Sequence, residues 1–141
     1  MSPVSKDSRT TTTMKLFTPL QANRALPLVR SIVADILEKA AELRGKTALS
    51  RDPEHDLELE DIKQEVVSLM EELQTLGCGF KDWNFETGLV DFPARIDGRD
   101  VLLCWRSDEA SVTHYHTLDG GYAGRLPIPN ELLEDEEPSE N

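Results

Sequence analysis

LPLVRSIVADILEKAAEL, residues 26–43, decides the fold. Its apolar side chains at Leu26, Val29, Val33, Ile36, Ala40 and Leu43 step 3-4-3-4-3. LEDIKQEVVSLMEELQTL, residues 59–76, repeats that spacing at Leu59, Ile62, Val66, Leu69, Leu73 and Leu76. A repeat of about 3.5 residues keeps one apolar seam along a helix, turned toward a partner helix. The connector at 46–55 is short and polar, with Asp52-Pro53 as a turn signal. Each helix therefore finds its simplest partner in the other. The spacing predicts an antiparallel, coiled-coil-like helical hairpin over residues 18–77.

Working outward, Thr18-Pro19-Leu20-Gln21 is a helix start. Thr18 caps, Pro19 suits the first helical position and Gln21 completes a capping box. The first helix is expected to run to about Arg44 and stop at Gly45, with Pro27 kinking it near Asn23 or splitting off its first turn. Leu28, Ile32 and Leu37 widen its apolar stripe beyond what a lone hairpin buries. That surplus must meet the later segment or a second copy, so a homodimer through this helix is the expected assembly. Asp56 is the expected cap of the second helix and Gly77 its end.

After Gly77 the period changes. Gly88-Leu89-Val90-Asp91-Phe92-Pro93 reads as extended chain, and Asp97-Gly98 is a two-residue hairpin turn. That turn sets Ile96 opposite Arg99, Arg95 opposite Asp100 and Ala94 opposite Val101, with an Arg95–Asp100 cross-strand ion pair. Val101-Leu102-Leu103-Cys104-Trp105 is apolar on both faces and reads as a central strand; Ser111 to Thr117 reads as a third. Gly120, Gly121 and Gly124 speak against regular structure beyond it. The fold class is thus α+β: a long helical hairpin followed by a small antiparallel sheet of about three strands, with a glycine-rich loop, over 88–128. One domain spans 16–130, between a flexible tail at 1–15 and an acidic tail at 131–141.

Composition excludes several functions. The formal net charge is −12 over 141 residues, and six acids with no base stand in residues 131–141. Seven acids from Asp56 to Glu72 face only Lys63. Phosphate backbones and anionic membrane surfaces call for a basic patch, so nucleic acid and membrane are not expected partners. No apolar run is long enough to span a bilayer, and the N-terminus lacks the apolar core of a signal peptide. Cys78 and Cys104 do not make a disulfide framework, which points to a reducing cytoplasmic setting.

A set of motifs resembles a known family. They are Phe17-Thr18-Pro19 with Ala22-Asn23 and Leu26-Pro27, then Gly88 to Ala94, then Gly98-Arg99 and Val101 to Arg106. His116, Asp119 and Gly121-Tyr122-Ala123-Gly124-Arg125 close the series. Together they resemble domain of unknown function 2203, an uncharacterised, mainly bacterial family, over residues 16–128. The resemblance implies no activity and supplies no catalytic residues. His116 belongs to that pattern and His114 does not.

Chemistry concentrates in residues 104–125. His114 and His116, two apart in a strand, point to one face and can begin a metal site. Cys104 or Asp119 would add a third ligand, and sulfur with nitrogen suits zinc. Arg106, His116, Asp119, Gly121 and Arg125 form a second constellation. Glycine lets backbone N–H groups approach a ligand, and guanidinium groups grip a small anion such as a carboxylate or phosphate ester. Alternatively Arg125 pairs with Asp91 or Asp119 and only pins the loop. Cys104 reads as a buried, inert thiol, and Cys78, between two glycines at a helix end, as an exposed one. No complete catalytic set is visible. The expected role is a non-enzymatic, self-associating binding module, with a small-anion or metal site at 104–125 as the alternative.

Overall fold

The computed structural model describes residues 15–47, 53–82 and 85–133. Two helices, α1 (Pro19–Thr47) and α2 (Pro53–Leu76), precede an antiparallel meander of five strands. The strands are β1 (Gly79–Phe80), β2 (Leu89–Ile96), β3 (Arg99–Arg106), β4 (His114–Thr117) and β5 (Leu126–Pro127), in spatial order β1-β2-β3-β4-β5. A 3₁₀ turn at Tyr122–Gly124 lies between β4 and β5, and one helical turn, α3 (Asn130–Leu133), ends the described chain. The tails expected at 1–15 and 131–141 lie outside the described residues, apart from Lys15 and Glu131–Leu133. Leu132 and Leu133 of α3 pack on the hydrophobic core.

The capping box at the start of α1 closes in both directions. Thr18 N donates to Gln21 Oε1 at 3.0 Å, and Gln21 N donates to Thr18 Oγ1 at 3.1 Å. The helix continues past Pro27, with its first turn attached, and past Gly45 to Thr47. Contacts across the hairpin carry it beyond the expected stop. Lys46 pairs with Glu58 at 3.0 Å, and the Lys46 carbonyl meets His55 Nε2 at 2.5 Å. A mid-helix glycine costs only about 1 kcal/mol, which such contacts offset. α2 begins at Pro53, ahead of the expected cap at Asp56, and ends before Gly77. The pairs Lys39–Glu65 and Lys46–Glu58 advance along one helix while receding along the other, so the helices are antiparallel.

The sheet exceeds the expected three strands because β1 and β5 have two residues each, too few to carry a period. The central hairpin matches its expected register at every position named above, and Arg95 Nε donates to Asp100 Oδ1 at 3.0 Å. Asp97 and Gly98 both take positive φ, 54° and 79°, the backbone that a twisted two-residue hairpin needs. β3 is the middle strand of the five. β4 starts at His114, three residues later than expected.

One face of the sheet packs under the helices. Val90, Phe92, Val101, Leu103 and Trp105 join Val29, Val33 and Ile36 of α1 and Val66 and Leu73 of α2 in one core. Two features set the spacing and angle of α1. A Cβ at Gly88 would run into Val33 Cγ1, so glycine lets helix and sheet touch. Asn23 Oδ1 accepts from Val112 N at 2.7 Å, and Asn23 Nδ2 donates to Val112 O at 3.1 Å. The surplus stripe is mostly used within the chain: Ile32 is buried, Leu37 packs on the core, and Leu28 stays 53% exposed. Cys78, expected on the surface, is buried with its Sγ directed at Leu73 O, because the chain turns inward there to begin β1. Burial pushes its thiol up to about 11.

Candidate metal centre

The other face of the sheet carries the chemistry. Strand alternation sends Val90 and Phe92 to the core and Asp91 to the opposite side. The hairpin register sets Asp91 opposite Cys104, and Cys104 opposite His114, with His116 facing Leu102 two positions along. Asp91, Cys104 and His116 therefore share one face of three successive strands. Their ligating atoms all lie within 4.8 Å of one another. All three are buried, at 7%, 2% and 4% exposure. The turn after β4 helps to cover them: Leu118 and Gly121, with Lys81, Leu89 and Leu102, complete a pocket of about 330 Å³ over the cluster.

His116 is oriented from behind. Its Nδ1 lies 2.7 Å from the Thr117 carbonyl oxygen, which can only accept, so Nδ1 bears a hydrogen and donates. Nε2 is left facing Asp91 Oδ1 at 3.4 Å. Metal-binding histidines are held in this way, one nitrogen fixed by a backbone carbonyl and the other aimed at the ion. Burial pushes the Asp91 carboxyl above its ordinary value, while His116 and Lys81 pull it back in part. Burial, then the charge of Asp91, pushes the Cys104 thiol up to about 11. Such a thiol is a poor free nucleophile.

Asp91 Oδ1 and His116 Nε2, 3.4 Å apart, are within reach of a long hydrogen bond and leave room for a shared cation. A charge-assisted hydrogen bond is about 2.7–2.9 Å long, well short of the separation found. Zinc bonds of about 2.0–2.1 Å to nitrogen and oxygen, at a tetrahedral angle, give an N···O edge of about 3.3 Å. The Asp91–His116 separation is close to that edge, and all three ligating atoms lie within 4.8 Å of one another. A mixed carboxylate, thiolate and imidazole set also suits zinc by its donor chemistry.

The residues singled out in the sequence divide. His116 and Gly121 line the pocket with Cys104. His114 is outside the three-residue cluster, and its Nδ1 meets Thr113 Oγ1 at 2.9 Å. Asp119 accepts from Thr117 Oγ1 at 3.0 Å in an exposed turn. Arg106 Nε binds Asp108 at 2.7 Å. Arg125 pairs with Glu109 at 2.9 Å and donates from Nη2 to the Cys104 carbonyl at 3.3 Å. Arg125 thus pins the glycine-rich loop to β3, as the alternative reading had it, through Glu109 in place of Asp91 or Asp119. Burial works against the Glu109 charge, but Arg125 and the Arg106 backbone N–H outweigh it and hold the carboxyl below its usual range.

Asp91 is the residue that motif reading passed over as a ligand. The signal was present: pairing Ile96 with Arg99, continued along the strands, sets Asp91 against Cys104.

Residues 15–128 match the model of the family described as uncharacterized conserved protein DUF2203, and the chain belongs to that family. Comparison with curated proteins and with solved structures gives no match. Among the described residues no helix is long and apolar enough to cross a membrane.

Proposed function

We propose that this chain is a binding module for a divalent transition-metal ion, zinc by its donor chemistry, held by Asp91, Cys104 and His116. The observation that carries the reading is the convergence of three buried ligating atoms, within 4.8 Å, from three successive strands. Metal chemistry also accounts for two otherwise costly groups. A buried carboxylate and a buried thiol are expensive to charge alone, and a divalent cation stabilises both anions. Each ligand has one role: Cys104 the thiolate, Asp91 the carboxylate, His116 Nε2 the nitrogen.

Equilibrium dialysis of the full chain against zinc, with metal analysis, tests it. One ion per chain is expected. His116→Ala and Cys104→Ser should lose it, and His114→Ala should keep it. No retained zinc in the parent chain, or loss on His114→Ala alone, would refute the reading.

A second reading, non-enzymatic self-association through α1, is supported by Leu28, a large apolar side chain left 53% exposed on the helix expected to carry the interface. Native mass spectrometry of the parent and of Leu28→Asp tests it. A dimer that becomes a folded monomer on substitution supports the reading, and a parent monomer removes it.

A further inference from the structure

We infer that the open side of the Asp91–Cys104–His116 cluster receives a small carboxylate that carries an apolar body. The inference rests on the metal reading and adds the class of ligand.

Three protein donors leave a tetrahedral ion one position short, and catalytic or ligand-binding zinc sites fill that position from outside the protein. Here the cluster opens on the pocket of about 330 Å³, near the small end of ligand-site sizes. Beyond the three ligands, its walls are Leu89, Leu102 and Leu118 with Gly121 and Lys81. Leu102 and Leu118 also border an adjoining depression of about 370 Å³ that continues over Leu16 and Pro93, beside the paired Arg95 and Asp100. Apolar surface therefore runs outward from the ligating atoms. That suits an apolar body trailing from a head group held at the metal.

Charge fixes the sign of the head group. A divalent cation with one carboxylate, one thiolate and a neutral imidazole sums to zero. Among the described residues Lys81 is the one basic side chain on the pocket wall, exposed to solvent and close enough for its charge to act on Asp91. The pocket then carries one surplus positive charge, which a monoanion neutralises and a dianion overshoots. The guanidinium groups that would favour phosphate are turned to other work, Arg106 on Asp108 and Arg125 on Glu109.

Cobalt(II) in place of zinc gives the test a spectroscopic readout. The full chain is loaded with cobalt and titrated with acetate, butanoate and hexanoate, with hexanamide as the neutral control. Thiolate-to-cobalt absorption reports the metal site, and the ligand-field bands report the fourth position. Carboxylates should shift the ligand-field bands saturably, about fourfold more tightly for each methylene buried. Hexanamide should leave them unchanged. Lys81→Met should keep the cobalt spectrum and weaken hexanoate about tenfold. If cobalt binds and carboxylates do nothing, or hexanamide does as well, the inference falls and the metal reading stands. Binding that ignores chain length or Lys81→Met overturns it equally. If no thiolate–cobalt absorption forms, the metal reading fails and takes the inference with it.

Discussion

Asp91 Oδ1 and His116 Nε2 stand 3.4 Å apart although their strands are not neighbours. β3 runs between them, and the two side chains lean toward each other over it. Strands lie about 4.8 Å apart, so each side chain spans roughly one strand spacing to reach the other. Cys104 on the intervening strand completes the group.

Burial, which that meeting only partly offsets, makes Asp91 a liability in metal-free protein. Burial raises its folded pKa above the ordinary 3.8. A raised pKa means stability that is full below the unfolded value and lost as pH rises through the folded one. Asp91→Asn does not titrate and escapes that loss. Urea denaturation in chelator should find Asp91→Asn at least as stable as the parent at pH 7, with the difference shrinking toward pH 4. A variant equally less stable at both pH values would show that the carboxylate is needed for folding itself.

Zinc should reverse the order. An ion that binds only the folded chain stabilises it by about 2.7 kcal/mol at a hundredfold excess over Kd. The thermal midpoint of the parent should rise with zinc, and that of Asp91→Asn should rise far less.

Proton release should accompany binding. The Cys104 thiol, at about 11 in the metal-free protein, must ionise to ligate. Zinc affinity should therefore increase about tenfold per pH unit through the neutral range, read by competition with a chromophoric chelator. An affinity independent of pH would exclude thiolate ligation.

Glu109 gathers Arg125, the Arg106 N–H at 2.8 Å and, through its carbonyl, Trp105 Nε1 at 3.0 Å. Its carboxyl is held below the ordinary 4.5, so its contribution is complete above that pH and disappears as acid protonates it. Glu109→Gln should cost about 1–3 kcal/mol at pH 7, with the gap to the parent closing below about pH 4, by urea denaturation across pH. A gap unchanged at low pH would rule out the charge as its source.

Gly88→Ala tests the helix–sheet contact. The added methyl meets Val33 Cγ1 and Ser107 Cβ, and the neighbouring side chains must shift to admit it. Overpacking of this kind costs about 1–3 kcal/mol. Pairing it with Val33→Ala should recover part of the loss in a double-mutant cycle.

The fold was legible where local chemistry determines it. Thr18 with Gln21 and Asp97 with Gly98 act within three residues of chain, and the structure keeps both. β1 and β5 were not, since pairs such as Gly79 with Asp91 and Tyr115 with Leu126 form only once distant segments meet. The candidate site was half legible. His116 and Cys104 stood out as ligand types, whereas Asp91 sat in a motif read for its backbone. Arg125 looked like a ligand grip because its partner, Glu109, belongs to a turn sixteen residues earlier.

Asn23 touches both ends of one peptide unit, taking a hydrogen bond from Val112 N and returning one to Val112 O. A carboxamide is a side-chain copy of the peptide group, so a helix here supplies what a neighbouring strand would. Apolar contacts alone would let α1 roll on the sheet, because grease has no preferred direction. Advancing the helix by a single residue turns it through about 100° and breaks both bonds together. The layers of this protein are therefore keyed as well as packed, and the key is one amide.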